Sequence, residues 1–169
     1  QYMKDEIMNS FSLPADKIKV IGNGVNEDNF RSVVASDFKS RYALAQEKVV
    51  YFIGRLVQEK GAQVLLDAAK EVLFYNSDVK FIISGNGPKE EELKSQADRL
   101  GISHKVEFTG HVGPKFRNSL YQIADVAVIP SLYEPFGIVA LEAMITKTPV
   151  IVSDVGGLGE IVNHNHDGL

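Results

Sequence analysis

Six short runs of almost continuous apolar residues, separated by longer amphipathic segments, limit what this chain can fold into. The runs are KVI (19–21), VVYFIG (49–54), VKFIIS (79–84), VEFTG (106–110), DVAVIP (125–130) and PVIVS (149–153). A strand with one wet face alternates apolar and polar residues, and most of these runs do not. They are expected to be strands buried on both faces, as in a parallel sheet covered by helices. The segments between them have helical patterning. GAQVLLDAAKEVLFY places Val64, Leu65, Ala68, Ala69, Val72 and Leu73 on one predicted apolar stripe. PKEEELKSQADRLG opens with Pro88 and acidic residues and stops at Gly101, all suited to those helix ends. PKFRNSLYQIA, FGIVALEAMIT and the shorter GLGEIVN predict three more helices. The alternation reads as an α/β doubly wound parallel sheet. Residues 1–45 are less regular: a helix, the short strand at 19–21, the turn NGVNEDNF and a polar helix, together a lead-in to the sheet.

With 169 residues the chain is long enough for one domain with its own core, read as spanning 1–169. A composition of 44% apolar and 24% charged residues excludes a disordered body. The net charge of −4 offers no footprint for nucleic acid, so an anionic ligand must be held by a local group of cations. There is no cysteine, hence no disulfide and no thiolate metal site, which fits a cytoplasmic setting. No apolar run is long enough for an integral membrane segment. The abrupt ends, QYMKDEIMNSF and HNHDGL, are those expected of a piece of a longer protein.

In a doubly wound sheet, ligands bind at the carboxyl ends of the strands. The loops there are GRLVQEKG, GNGP, GHVGP, PSLYEPFG and DVGGLGE, and glycine is concentrated in them. Two readings stay open: backbone that approaches a ligand closely, or ordinary turn glycine. Arg55 ends one strand and Lys60 precedes a helix. A cation at a helix N-terminus is mildly unfavourable alone, by about 0.3–1 kcal/mol. A bound anion reverses the sign, because one charge pair at about 4 Å gains about 4 kcal/mol at an effective dielectric near 20. The pair and the helix end would make a diphosphate clamp; the alternative is two solvated cations, with Lys60 paired to Glu59 or to nothing. GNGP, with Gly85, Asn86 and Gly87, lacks the third glycine of the dinucleotide fingerprint and the GK[ST] of a P-loop. It reads as a close-approach turn.

EPFGIVALE (134–142) carries two acids of different standing. Pro135 disfavours helix at Glu134, so the helix should begin near Phe136 or Gly137, with free N–H groups at about 137–139. Glu134, just before it, is favoured by the helix dipole without any ligand. Glu142 lies on the same face as Ile138 and Ile145, where an unpaired carboxylate is costly. Vicinal hydroxyls, as in a ribose, would satisfy it; so would backbone N–H groups or a lysine such as Lys147. There is no HExxH, no GxSxG and no histidine cluster: His104 and His111 stand apart, and His164 and His166 share a polar loop without further ligands. Nor is there an Asp-any-Asp pair for a metal-bound diphosphate. No cofactor and no metal are expected.

Taken in order, KVIGNGVN, GRLVQEKG, SGNGP, FTGHV, ADVAVIPSLYEPFGIVALEAM and TPVIVSDVGGLGEIV resemble the donor-binding half of the group 1 (family 4) retaining glycosyltransferases. The resemblance implies a Rossmann-like sheet forming the C-terminal half of a GT-B enzyme. It implies metal-independent retaining transfer of a hexose from a UDP-, ADP- or GDP-sugar. By similarity, Arg55 and Lys60 hold the diphosphate. Glu134 contacts hydroxyls of the sugar, and the backbone of Phe136, Gly137 and Ile138 contacts sugar and phosphate. Glu142 holds the ribose. Gly54, the turn Gly85–Asn86–Gly87 and the backbone at Val112 line the nucleotide pocket. PSLYEPFGIVALEAM is nearest to glycogen or starch synthase-like members, which makes glucose the leading sugar. The family's N-terminal acceptor domain, with its catalytic histidine, and its closing strands and last helix have no counterpart in this sequence. The chain alone is therefore expected to be inactive. Alternatives are a related nucleotide-sugar epimerase, a phosphorylase (for which no pyridoxal-bearing lysine context is found) and a non-catalytic α/β binding module.

Overall fold

The apolar runs pair with one another in parallel, as strands covered on both faces do. The computed structural model describes residues 1–30 and 37–169. Its strands are β1 (Lys48–Ile53), β2 (Val79–Ser84), β3 (Val106–Gly110), β4 (Val126–Ile129) and β5 (Val150–Val152). They form one sheet in the order β3-β2-β1-β4-β5, every neighbouring pair parallel. The helices are α1 (Tyr2–Phe11), α2 (Ala62–Tyr75), α3 (Glu90–Leu100), α4 (Pro114–Ile123), α5 (Ile138–Ile145) and α6 (Leu158–Ile161). None of the described helices is long and apolar enough to cross a membrane.

The chain runs from β1 outward through β2 to β3, returns through α4 to the other side of β1, and continues to β4 and β5. The strand order therefore reverses between β1 and β4. A parallel sheet opens a crevice at such a point, because the loops leaving its two central strands diverge to opposite faces. The two faces have separate cores. One packs α2 and α3 on Phe52, Phe81 and Ile83; the other packs α4, α5 and α6 on Val49, Tyr51, Ile82 and Ala127. A wholly buried leucine such as Leu66 or Leu120 contributes about 1.5–3 kcal/mol by its removal from water. Register runs from Lys48↔Val79 to Ile53↔Ser84, so β1 and β2 end level. The ladder then continues into the loops, with Gly54 N donating to Ser84 O at 3.1 Å and Gly85 N to Gly110 O at 2.8 Å. At the opposite end, Asp125 accepts from Val49 N at 2.8 Å and from Lys48 Nζ at 2.9 Å, which ties the β4 entry to the start of β1.

Three expectations need correction. Residues 19–21 are not a strand; Val20 and Ile21 are exposed, Ile21 by 81%. No neighbouring strand offers them hydrogen bonds among the described residues, and β propensity without a partner makes no strand. On α2 the buried residues are Ala62, Leu65, Leu66 and Ala69, while Val64 and Val72 are exposed. The helix is rotated from the predicted stripe because its core-facing side is chosen by the sheet beneath it. The third helix begins at Glu90, with Pro88 in the preceding turn, and ends at Gly101 in the left-handed conformation. Part of the predicted polar helix of the lead-in, at 31–36, lies outside the described residues; Lys39–Arg41 form one 3-10 turn.

The lead-in is tied down by polar contacts. α1 buries no residue. The backbone N–H of Tyr2 donates to Glu160, and the Tyr133 hydroxyl donates to Glu6 at 3.1 Å. Asn118, buried on α4, donates to Asn29 O at 2.5 Å.

Candidate functional site

The loops at the carboxyl ends of β1, β2, β3 and β4 close on two adjoining cavities at the point where strand order reverses. One, of about 370 Å³, is lined by Ile53, Gly54, Arg55, Gly85, Asn86, His111, Val112 and Arg117. The other, of about 70 Å³, is lined by Phe52, Ile53, Gly54, Lys60, Ile129, Ser131, Glu134, Ile138 and Val139. Ile53 and Gly54, at the end of β1, line both, so the two lie side by side in the crevice. A larger cavity of about 560 Å³ runs along the β5 edge past Lys147, Pro149 and Leu169; of the residues named from the sequence it takes only Lys147 and His166, neither of them expected to contact a donor.

The glycines of this rim serve the backbone first. Gly85 has φ of 133°, and a Cβ on it would lie 1.8 Å from Gly54 O; a Cβ on Gly87 would lie 2.2 Å from Leu56 O. They let the loops after β1 and β2 pack against each other, which is a different reason from close approach to a ligand. Gly137, with φ of 96°, turns the chain into α5, and a Cβ there would strike Leu158. The helix starts at Ile138 with Gly137 as its N-cap and no side-chain cap. Ala140 N donates to Gly137 O at 3.0 Å, whereas the N–H groups of Ile138 and Val139, at the start of the helix, have no carbonyl one turn earlier within it; both residues line the smaller cavity.

Charge enters the crevice from both sides. Lys60 Nζ lies 2.7 Å from Glu134 Oε2, and Ser131 Oγ donates to the same oxygen at 3.2 Å. Glu134 is buried and Lys60 half-buried, so the pair is shielded from water and stronger than a surface pair. Arg55, at the mouth of the larger cavity, is exposed. Lys60 is thus paired neither with Glu59 nor with solvent; its partner comes from the loop after β4.

Glu142 is buried on α5, with a partner that neither sequence alternative anticipated. Arg117 Nη1 lies 2.8 Å from its Oε1, and the Tyr121 hydroxyl donates to Oε2 at 3.3 Å. Desolvation by burial raises the carboxyl above its ordinary range, against the lowering influence of Arg117 and Tyr121. Burial likewise drives the Tyr121 phenol well up, with the Glu142 charge adding to it.

Of the residues read from the sequence, the structure gathers Gly54, Arg55, Gly85, Asn86 and Val112 at the larger cavity and Gly54, Lys60, Glu134 and Ile138 at the smaller. Gly87, Phe136, Gly137 and Glu142 line neither; Gly87 packs on Leu56, Gly137 stands behind Glu134, and Glu142 lies behind Arg117. Sequence reasoning missed Arg117, Ser131, Val139 and the placement of His111. Arg117 had one local signal: it precedes Tyr121 by one helical turn, so the two share a face. No group of three or more His, Asp or Glu side chains that could hold a metal occurs among the described residues.

The family model described as "Glycosyl transferases group 1" matches residues 35–169. An uncharacterised glycosyltransferase of Methanocaldococcus jannaschii is 42% identical over 172 residues, covering 99% of this chain and 44% of its own length. The glycogen synthase of Mycobacterium tuberculosis is 33% identical over 167 residues, covering 99% of this chain and 39% of its own. The crystal structure of the Anabaena protein HepE in complex with UDP and glucose superposes with a TM-score of 0.89 at 28% identity, over 98% of this chain and 46% of that one. The chain spans less than half the length of each of these relatives.

Proposed function

The chain belongs to the group 1 glycosyl transferases, and from that premise we propose that it is the donor-binding part of an enzyme moving a hexose, with glucose first in order, from a nucleotide-diphospho-sugar to an acceptor hydroxyl with retention of configuration. One observation carries this reading. A cation from the loop after β1, an acid from the loop after β4 and the N-terminus of α5 meet at one crevice at the strand-order reversal. That combination suits a phosphate beside a polyhydroxyl ring: positive partial charge and Lys60 for the anion, a carboxylate for sugar hydroxyls.

In this reading the larger cavity takes the nucleoside, between Asn86 and Val112. The diphosphate lies across Gly54 toward Lys60 and the α5 N–H groups, with Arg55 reaching it from the mouth. Departure of the nucleoside diphosphate from the anomeric carbon leaves charge on the diphosphate oxygens. Arg55 and Lys60 stabilise that charge without a metal, and fixed charges of this kind act most strongly where water is excluded. Glu134 accepts from sugar hydroxyls and Glu142 from the ribose. UDP and glucose bound to the similar Anabaena protein, and the glycogen synthase among the relatives, support the donor class.

Calorimetric titration of the full-length protein with UDP, ADP and GDP tests the reading. Binding of at least one, lost when Lys60→Ala is introduced into protein that still melts cooperatively, is the expected result. Absence of binding to all three would remove it.

A further inference from the structure

We infer that Arg117 is a positioning residue that makes this site select nucleotides with an intact ribose cis-diol, by holding the Glu142 carboxylate just behind the lining of the larger cavity, which Arg117 itself forms. The inference rests on the reading of Glu142 as the ribose acceptor. Arg117 lines that cavity and also meets Glu142, at 2.8 Å. Its guanidinium lies 5.1 Å from the centroid of Phe30, and Nε and Nη2 both point to Asn118 Oδ1 at 3.3 Å. Asn118 is itself buried and bonded to the lead-in. The planar cation is therefore held on its face by Phe30 and along its edge by Asn118. Such a group imposes a direction on its carboxylate partner in a way that a flexible ammonium does not.

The carboxylate is oriented at both oxygens. Oε1 takes Arg117, and Oε2 takes the Tyr121 hydroxyl, which is also 3.1 Å from Val139 O. Each carboxylate oxygen has two acceptor sites, so one on each remains for a hydroxyl. Two oxygens fixed in one plane, each with one free site, match two vicinal hydroxyls; a freely rotating carboxylate would accept from one as readily as from two. A ligand lacking one hydroxyl leaves an oriented, desolvated acceptor unpaired, which is the condition under which polar sites discriminate strongly.

Arg117 also favours the ionised form of Glu142. Burial raises the carboxyl and Arg117 opposes that rise. The charged or titratable groups facing it are Arg117 and Tyr121 on α4 and Tyr51 on β1. Of these only Arg117 is cationic.

The test compares UDP, ADP and GDP with their 2′-deoxy counterparts on full-length wild type, R117M and R117K, by titration calorimetry between pH 6 and 9. Wild type is expected to prefer the ribonucleotide at least tenfold, with affinity flat across that range. R117M is expected to lose tenfold or more for the ribonucleotide, to bind both forms within about twofold, and to regain ribonucleotide affinity as pH rises and Glu142 ionises. R117K, which keeps the charge and loses the planar fork, should show a ribo/deoxy ratio at least threefold below wild type, and it serves if R117M does not fold. Variants that melt earlier yet keep the wild-type ratio and a flat pH profile would show Arg117 to be structural only and overturn the inference. Wild type that binds ribo and deoxy forms equally would remove the ribose role of Glu142 and this inference with it, leaving nucleotide binding standing. Wild type that binds no nucleotide would instead overturn the donor-site reading itself.

Discussion

Lys60 and Glu134, separated by 74 residues in the chain, meet at 2.7 Å across the mouth of the crevice between β1 and β4. The contact joins the two loops that the reversal of strand order drives apart. It also means that each proposed ligand group is occupied by the other before any donor arrives. A diphosphate must compete with Glu134 for Lys60, and sugar hydroxyls must compete with Lys60 for Glu134.

Replacing Glu134 by Gln should separate binding from turnover. Lys60 loses its anionic competitor, so UDP affinity of E134Q is expected to equal or exceed wild type by a few-fold. Transfer should fall by about 10²–10³, the usual effect of removing one preorganised electrostatic contact. Calorimetry and steady-state transfer on the same preparation check this. Affinity and turnover falling together would contradict it.

Removing Lys60 is a different perturbation, because it leaves Glu134 buried with only Ser131 to support it. K60A should lower stability by about 3 kcal/mol, the lower part of the range for breaking a shielded pair. Equilibrium urea unfolding measures it. The double variant K60A/E134Q should recover part of that loss, since no buried charge is then unpaired.

Arg55 is exposed, so R55A should leave stability within about 0.5 kcal/mol of wild type. Its proposed role is with the diphosphate alone. UDP affinity should fall about tenfold, or about 1.4 kcal/mol, while uridine affinity is unchanged. Equal losses for UDP and uridine would place Arg55 against the nucleoside instead.

The pH dependence of stability should carry two opposed contributions. Glu47, hydrogen-bonded to Lys105 and to Leu44 N, has its carboxyl held below the ordinary value of 4.5. A lowered carboxyl stabilises the fold above its unfolded value, and that stability is lost as pH falls through the folded one. Glu142 is raised from 4.5 by burial, so the folded state holds its proton longer than the unfolded state. Its stabilising contribution is therefore present below about 4.5 and is lost as pH rises to the folded value. E47Q should flatten the acid limb of a stability–pH curve, and E142Q should remove a decline on the side just above it. Urea midpoints at intervals between pH 3 and 7 distinguish the two.

Glycine at 85 should be far less replaceable than glycine at 101. Gly85→Ala forces both a positive φ and a Cβ 1.8 Å from Gly54 O, so a loss of at least about 2 kcal/mol is expected. Gly101, with φ of 73°, has nothing within 4 Å of an added Cβ. Gly101→Ala should cost about 1 kcal/mol, from conformation alone. Parallel urea unfolding of the two variants checks the contrast.

The runs at 79–84 and 106–110 are strands over the whole of their predicted spans, because β-branched and aromatic residues there are bounded by clear breakers. The run at 19–21 has the same local character and fails for want of a neighbour. On α2, Val64 and Val72 lie roughly 100° of helix rotation from Leu65 and Leu73, the angle between consecutive residues. Both sets are apolar, and only the sheet selects between them. The glycine loops announced a crowded place without saying what crowded it, and the structure shows that neighbouring backbone suffices.

The parallel α/β architecture and the end of the sheet that carries the glycine-rich loops were thus legible in the sequence itself, since periodicity of apolar residues and the chemistry of turns act over a few residues; the strand order, and with it the place of the crevice, was not. Legible too were Arg55, Lys60, Glu134 and Glu142 as the charges worth attention. Which charge faces which was decided only in three dimensions. Lys60 finds Glu134 because α4 carries the chain back across β1, and Glu142 finds Arg117 because α4 and α5 cover the same face of the sheet. A buried charge must find a partner, but nothing local names it: the Coulomb and desolvation energies that choose it depend on distance through space, and chain separation does not report that distance.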